Sequence, residues 1–178
     1  MALRVQGIAT VERASVALGV DQPAGLEGLR DLVARGLAAE RTGRLAGFTL
    51  TPAGAEHVDK LLAEEGLRTS DALRECYDRF TTIDPGVKKA CSRSQIDGPD
   101  VALDDLLALH DRAKVCLRKL VACAPRFTPY QARLESCVER LLSGDNTAFT
   151  KPMAESYHQV WWELHQDLLL TLGLEREE

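Results

Sequence analysis

The stretch that decides the fold, residues 34–54, reads ARGLAAERTGRLAGFTLTPAG. Gly36 follows an amphipathic run and can adopt the left-handed conformation that ends a helix. Residues 37–41 then have the composition of a short strand, Thr42-Gly43 that of a tight turn, and residues 44–50 that of a returning strand. The pattern therefore predicts a β-hairpin directly after a helix. The apolar residues of its second strand are Leu45, Phe48 and Leu50.

Helix signals lie on both sides of this hairpin. Thr51-Pro52 combines an N-cap residue with a proline at the first helical position, so a new helix is expected to begin there. Upstream, Thr10 is expected to cap a helix that runs to about Leu18, and Gly19-Val20-Asp21 supplies a turn before Pro23 opens a second helix. Two helices joined by a turn and followed by a hairpin predict a winged helix-turn-helix domain over residues 1–66.

The second half of the chain, residues 67–178, is predicted to be a bundle of four or five helices. The expected fold class is therefore mainly α with a small β-hairpin wing. The predicted helices cover residues 70–80 and 84–93, a long segment after Asp100 to about 124, a segment from the cap at Thr128-Pro129 to 143, and a last helix from Pro152 to about 172, ended by Gly173.

The second helix of the N-terminal pair, residues 21–35, is the candidate recognition helix. Gln22 and Arg30 can reach bases or phosphates, whereas Asp21 and Glu27 repel the phosphate backbone. The positions expected to be exposed near its start are Asp21, Gln22, Ala24, Gly25, Glu27, Gly28 and Arg30. The candidate DNA-binding residues are Gln22, Arg30, Arg35, and the two that flank the wing tip, Arg41 and Arg44.

The charge balance weighs against strong DNA binding by one copy of the chain. The net charge is −5. Residues 1–66 carry seven Arg and Lys against nine Asp and Glu, and the remainder carries fifteen against eighteen. A dimer could still present enough arginines, because affinity depends on local phosphate contacts rather than on net charge. The alternative is a winged helix that has lost DNA binding and contacts protein instead.

The last predicted helix carries more apolar surface than packing against one neighbour requires. Its extra stripe is expected to face a dimer mate, the N-terminal domain or a ligand cavity. One face comprises Met153, Tyr157, Val160, Leu164, Leu168 and Thr171. The second stripe comprises His158, Trp162, His165 and Leu169, with Trp161 and Leu172 between the two, and the polar arc is assigned to Glu155, Gln159, Glu163 and Gln166.

The histidines are interpreted as interface or core residues rather than as metal ligands. His158 and His165 are two helical turns apart, which is too far for one ion, and a single Glu-x-x-His pair does not make a di-metal site. His110 lies on an apolar helix face and is expected to be a hydrogen-bonded core residue that could meet the final helix. The candidate ligand-binding or interface residues are His110, Tyr157, His158, Trp161, Trp162 and His165.

Several classes of function receive no support from the sequence. The chain has no phosphate loop, nucleophile elbow or clear Cys-His pair, so it is not expected to be an enzyme, and no cofactor or metal is expected. The N-terminal residues lack the long apolar core of a secretion signal, and no segment is apolar enough to span a membrane. Five cysteines without a Cys-x-x-Cys pair suggest reduced thiols in a cytoplasmic protein.

The N-terminal segment GLAAERTGRLAGFTLTPAG resembles the winged-helix regulators of the MarR and PadR type. The whole chain also looks like a group of actinobacterial proteins that join such a domain to a helical one, with residues 156–173, SYHQVWWELHQDLLLTLG, as the strongest carrier of the likeness. Segments related to this one occur in standalone regulators and alongside pyruvate phosphate dikinase-like regions. The resemblance implies a regulator of transcription or an accessory role, and it assigns no catalytic residue.

Two hypotheses follow from the sequence. The first is a homodimeric transcriptional regulator that binds double-stranded DNA and is controlled by a small-molecule effector in the helical domain. The second is an interaction domain without DNA binding, associated with an enzyme that handles phosphoenolpyruvate or pyruvate. An enzymatic role would require a metal or cofactor held by the histidines.

Overall fold

The computed structural model describes residues 1–152 and 154–175. The fold is mainly helical with a small three-stranded antiparallel sheet, which confirms the coarse fold class. The chain divides into two compact units, one formed by residues 1–69 with the described residues from Gln166 onward, the other by Ser70–His165. No helix in the described ranges is both long enough and apolar enough to cross a membrane.

The first unit begins with three helices and a very short strand. They are α1 (Ala2–Gln6), β1 (Ile8–Ala9), α2 (Val11–Leu18) and α3 (Gln22–Ala34). Thr10 caps α2, as predicted, because its hydroxyl accepts the Arg13 N–H. Asp21 caps α3 in the same way through the N–H of Ala24, and Gly19 turns the chain between the two helices in the left-handed conformation.

The hairpin of the first unit consists of β2 (Ala38–Arg41) and β3 (Gly47–Leu50), and helix α4 (Pro52–Glu64) follows it. Thr51 caps α4, as predicted. Strand β1 pairs with the other edge of β3, which gives the order β1-β3-β2; this third strand was missed because two residues carry no periodicity. A Cβ on Gly47 would lie 2.7 Å from the Ala9 carbonyl oxygen, so glycine permits the pairing.

The connection between β2 and β3 is longer than the predicted two-residue turn. A 3₁₀ turn over Gly43–Leu45 separates the strands, so the expectation of a strand from residue 44 was wrong. Leu45 was assigned to the apolar side of the hairpin, but 62% of its surface is exposed. The reason is register: Arg41 pairs with Gly47, and residues 42–46 therefore extend beyond the sheet.

A close approach between α2 and α3 organises the core of the first unit. Gly25 is buried, which corrects the prediction that it is exposed, because its face of α3 contacts Ser15 of α2. A Cβ on Gly25 would lie 1.9 Å from the Ser15 hydroxyl oxygen, closer than atoms can approach. The core cluster packed around this contact comprises Leu3, Ala9, Ala14, Leu29, Ala38 and Phe48.

The second unit consists of helices. They are α5 (Asp71–Asp97), α6 (Asp100–Cys123), α7 (Thr128–Leu142), the single turn α8 (Thr147–Thr150) and α9 (Tyr157–Leu172), whose residues up to His165 belong to this unit. Helices α5 and α6 pack along each other, and Ser70 caps α5 as predicted. The largest side chains buried in this unit include Phe80, Phe127, Phe149 and Tyr157.

Helix α5 runs unbroken through Pro85, so the prediction of two separate helices was wrong. Asp84-Pro85 has the composition of a helix start, but the Asp84 carboxylate points inward and accepts a hydrogen bond from the Trp161 indole. Pro85 removes one N–H and leaves the carbonyl of Thr81 without its helical partner. Thr81 is exposed, so that carbonyl can be hydrated, and the buried Ile83 and Val87 hold the helix on both sides.

One predicted cap and one predicted helix start were also wrong, although α7 does begin at Thr128 as predicted. Thr128 is the first residue of α7 and donates its hydroxyl to the Pro125 carbonyl, instead of capping the helix from outside. Helix α9 begins at Tyr157 and not at Pro152, which lies in a turn. Met153, assigned to the apolar face of that helix, lies outside the described residues.

The two interior glycines of α3 provide a matched test of the α2–α3 contact. Gly25→Ala is expected to destabilise the protein by about 1–3 kcal/mol, because the new methyl group overlaps Ser15. Gly28→Ala on the same helix is expected to stabilise it by about 1 kcal/mol, since a Cβ there meets nothing within 4 Å and alanine favours a helix. Urea unfolding followed by circular dichroism measures both changes.

Ser15→Ala supplies the control for this comparison. It removes the overlapping oxygen, so the double variant Ser15→Ala/Gly25→Ala should recover part of the loss. Equal effects of the substitutions at Gly25 and Gly28 would contradict the close contact.

Candidate functional site

One side of α3 presents the first candidate residues. Gln22 and Arg30 are both exposed and lie about 80° apart around the helix. Arg30 lies about 100° around the helix from the buried Leu29 and faces solvent. Gln22 lies only about 20° from Leu29 in direction, and it is exposed because it is the first residue of α3. In the described part of the chain no carboxylate forms an ion pair with Arg30, so its guanidinium keeps all five donors for an external partner.

The hairpin presents two further arginines. Arg41 ends β2 and Arg44 lies in the 3₁₀ turn that extends beyond the sheet. Both are exposed, and neither is ion-paired to a described carboxylate. Arg44 therefore lies in the turn between the strands and not in the strand expected for it.

Arg35 does not belong with the other arginines. It lies about 140° around α3 from Arg30, and its Nη1 donates to the Asp31 carboxylate at 3.1 Å in an exposed i,i+4 ion pair. It also lines an apolar cavity of the first unit. The structure therefore separates Arg35 from the surface formed by Arg30 and the hairpin arginines.

The acidic residues at and within α3 differ in whether their carboxylates have a partner inside the unit. The Asp21 carboxylate accepts a hydrogen bond from the Ala24 N–H at 2.8 Å, so its negative charge interacts favourably with the positive end of the helix dipole. Asp31 is paired with Arg35. Glu27 is exposed, and it is the acidic residue of this helix that opposes an anionic partner most directly.

In the second unit, His110 and Tyr157 meet in the interior, as the sequence analysis anticipated for a core histidine. His110 Nδ1 and the Tyr157 hydroxyl oxygen share a hydrogen bond at 3.3 Å, and the rings pack edge to face. Burial lowers the pKa of His110, and the charge of Lys114 lowers it further. Burial raises the pKa of Tyr157 far above its usual range. Both side chains are therefore neutral at neutral pH.

Trp161 connects this pair to further aromatic rings, because it also stacks on Tyr157 with ring centroids 6.2 Å apart. Trp161 stacks on Phe80 with ring centroids 4.5 Å apart and donates its indole N–H to Asp84 at 2.9 Å. His165 packs against Phe80 at 5.0 Å and against Tyr77 at 6.1 Å. These rings fill the interior by contact with each other.

His158 and Trp162, the other two candidate residues, are only half-buried. Burial lowers the pKa of His158. The structure therefore brings together four of the six residues named as one ligand or interface site. His110, Tyr157 and Trp161 contact each other in turn, and Phe80 links Trp161 to His165 in the interior. His158 and Trp162 are nearer the surface.

A buried ion cluster was missed by the sequence analysis. Arg133 Nη2 donates to Glu163 at 2.8 Å and also to Glu155 at 3.0 Å; 5% of the Arg133 side chain and 1% of the Glu163 side chain are exposed. Glu163 had been assigned to the polar arc of its helix, and that was wrong. Burial alone would lower the pKa of Arg133, but the hydrogen bond with Glu155 and the charge of Glu163 outweigh burial and raise it.

A sequence signal for this cluster exists in α7. Arg133 lies in the apolar stripe formed by Tyr130, Leu134, Cys137 and Leu141, where a charged residue is out of place. A charge in such a stripe must be buried with a partner, because an unpaired buried charge costs too much. The partners are more than twenty residues away in sequence, so spacing could not identify them.

The cysteines and the potential metal ligands of the described residues are candidates for a reactive site as well. All five cysteines are free thiols, as expected. Burial raises the pKa of Cys76, Cys91 and Cys137 to about 12 and that of Cys116 to about 11, so these thiols stay protonated at neutral pH. Among the residues described, no group of three or more potential ligands is placed to hold a metal ion.

Comparison of the chain with protein-family models, with curated proteins and with solved structures gives no significant match.

The Arg133 cluster predicts that removing Arg133 alone destabilises the protein more than removing the charges of Arg133 and Glu163 together. Arg133→Met should destabilise the protein by about 3–5 kcal/mol, because Glu163 would be left as an uncompensated buried charge. Adding Glu163→Gln should recover part of this loss, since an amide is easier to bury than a carboxylate. Arg79→Met, which breaks the exposed ion pair with Glu75, is the control and should have little effect. Thermal and urea unfolding measure these changes, and equal losses in the single and double variants would contradict the cluster.

The buried His110 and the half-buried His158 predict a loss of stability in mild acid. Because the pKa of His110 and that of His158 are lowered from 6.5 in the folded state, the unfolded chain binds protons that the folded chain does not. The free energy of unfolding should therefore be fully retained above pH 6.5 and fall as the pH drops below it. His110→Gln should reduce the difference in this free energy between about pH 7.5 and about pH 5.5. An unchanged difference would contradict the assignment.

Proposed function

We propose that the protein is a DNA-binding transcriptional regulator that acts as a homodimer. The observation that carries this proposal is the set of Arg30, Arg41 and Arg44, which are exposed and not ion-paired to any described carboxylate. Arginines without internal partners are suited to phosphates, which account for most of the affinity of protein–DNA complexes.

The order of elements in the first unit supports this proposal. Helix α2, a glycine turn, helix α3 and the β2–β3 hairpin follow each other as expected for a winged helix-turn-helix. In that arrangement α3 would enter the major groove with Gln22 and Arg30, and the turn that carries Arg44 would contact the backbone beside it. The likeness of this segment to MarR- and PadR-type regulators is consistent with such a role.

The acidic balance of the chain is the reason for proposing a dimer. One copy offers three arginines and opposes them with Glu27, so two copies on successive major grooves would double the phosphate contacts without a change in sequence. An effector that altered the spacing of the two α3 helices would then change the affinity for DNA.

Substitution of the hairpin arginines tests the proposal directly. Arg41→Gln/Arg44→Gln should weaken binding to a labelled duplex from the upstream region of the protein's own gene. It should also reduce the slope of log affinity against log salt by about 2 per subunit, since two phosphate contacts are lost. Fluorescence anisotropy over a series of salt concentrations measures both quantities.

Arg118→Gln is the matched control, because Arg118 is an exposed arginine of the second unit. It should leave affinity and salt slope unchanged. Absence of binding even at low salt, or equal losses in the control and the double variant, would contradict DNA binding by the hairpin.

The second candidate is a protein-interaction domain attached to a phosphoenolpyruvate- or pyruvate-handling enzyme. The exposed carboxylate of Glu27, beside the Asp31–Arg35 pair, is the observation that favours it, because acidic groups suit a basic protein surface better than DNA. Co-purification with such an enzyme and indifference to DNA would select this alternative.

A further inference from the structure

The first unit contains a cavity of about 340 Å³ between α2, α3, α4 and the start of α1. Its floor is apolar and includes Ala14, Leu29, Leu32 and Val58. The charged or titratable side chains of its lining are Arg35 and His57, and the lining includes no aspartate or glutamate. An apolar concave site with a few converging polar groups is the usual form of a small-molecule site.

Three glycines shape this cavity, and they do so in two different ways. Gly25 and Gly54 permit close packing, since a Cβ on Gly54 would lie 1.8 Å from the Leu37 carbonyl oxygen. Gly28 does the opposite, because a Cβ there would meet nothing within 4 Å. Its φ is not positive, so backbone geometry does not require glycine. A glycine inside a helix costs about 1 kcal/mol relative to alanine, and its effect here is to leave the cavity unfilled.

The charge of the lining indicates which ligand the cavity suits. Arg35 uses Nη1 in its exposed ion pair with Asp31, and exposed pairs of this kind contribute little. The remaining guanidinium donors can hold a carboxylate. His57 is half-buried and offers a ring N–H in either neutral tautomer.

A groove in the second unit has the same volume but a different charge, so volume alone does not make a site suited to a carboxylate. That groove, between α6 and α7, also has a volume of about 340 Å³, but its lining has three carboxylates and one lysine: Asp111, Glu135, Glu139 and Lys114. Its acidic lining would repel an anion. The cavity of the first unit combines an apolar floor with positive charge and donors at its polar positions.

We propose that this cavity binds a small amphipathic monocarboxylate. The hydrocarbon part occupies the floor beside Gly28 and Leu32, and the carboxylate accepts hydrogen bonds from Arg35 and His57. This site lies in the first unit, whereas the aromatic residues considered as an effector site lie in the second. The inference does not require DNA binding, and each can fail without the other.

Octanoate is the probe for this site, and isothermal titration calorimetry on the full chain is the measurement. Saturable binding of octanoate is expected, with 1-octanol and octylamine at least about tenfold weaker, because neither supplies an acceptor carboxylate to Arg35. Equal binding of octanoate and octanol, or no binding of octanoate, would overturn the proposal.

Variants of the lining separate this site from nonspecific binding. Gly28→Leu should fill the cavity and reduce octanoate affinity at least about tenfold without lowering the melting temperature. Arg35→Gln should weaken octanoate with little effect on octanol. Asp31→Asn removes the competing carboxylate and should strengthen octanoate binding, an effect that loss of structure cannot produce. Arg118→Gln is the control, because Arg118 is an exposed arginine of the second unit and does not line the cavity.

Any one of three results with the substituted proteins would overturn the proposal. They are undiminished octanoate binding by Gly28→Leu, no response to Arg35→Gln and Asp31→Asn, or conversion of a wild-type dimer to a monomer by Gly28→Leu in sedimentation equilibrium. The last result would identify the cavity as a contact between copies of the chain.

Discussion

The contact between Gly25 and Ser15 is the constraint on which the first unit depends. Two helices can approach this closely only where one of them lacks a side chain, and Gly25 supplies that position. Once Gly25 faces α2, the helical repeat sets the direction of every other residue of α3. Arg30 then faces solvent on one side and Arg35 lines the cavity on another. The same contact therefore decides both the candidate nucleic-acid surface and the candidate ligand site.

The second unit depends on buried polar groups that are satisfied by partners distant in sequence. Asp84 accepts the Trp161 N–H and pairs with Lys88 at 2.6 Å, which holds its carboxylate inside the unit. Arg133 does the same for Glu163. Such groups are costly to bury alone and position their helices strongly once paired. His110 and Tyr157 are buried in this unit, whereas His158 and Trp162 are half-buried.

The proposed DNA surface and the proposed carboxylate site use different sides of α3, so a ligand can occupy one of them without blocking the other. A carboxylate at Arg35 would compete with Asp31 for the guanidinium, while Arg30 and the hairpin arginines would remain available to phosphate. If both proposals hold, occupation of the cavity would change the packing of α3 between α2 and α4, and α3 is the element proposed to enter the groove. Regulation by such a ligand would then act on the DNA-binding unit itself.

Local chemistry was sufficient to predict where α2 and α4 begin and where the chain turns between α2 and α3. Thr10, Gly19 and Thr51-Pro52 act on their own neighbours through caps and turns, so their effects can be read from the sequence. The same logic failed at Asp84-Pro85 and Thr128-Pro129, because tertiary or neighbouring partners took the groups that would have formed the cap. Of the candidate site, the exposure of Arg30, Arg41 and Arg44 was predictable from amphipathic spacing and turn position.

The sequence by itself determined which segments form helices and a hairpin, because these depend on interactions between residues close along the chain. Only the tertiary structure decided that Gly25 is buried, that Glu163 is an interior ion and that Arg35 lines a cavity. Each of these depends on a partner from another element, namely Ser15, Arg133 and the apolar residues of α4. A one-dimensional pattern contains the chemistry of such residues but not the distances between them.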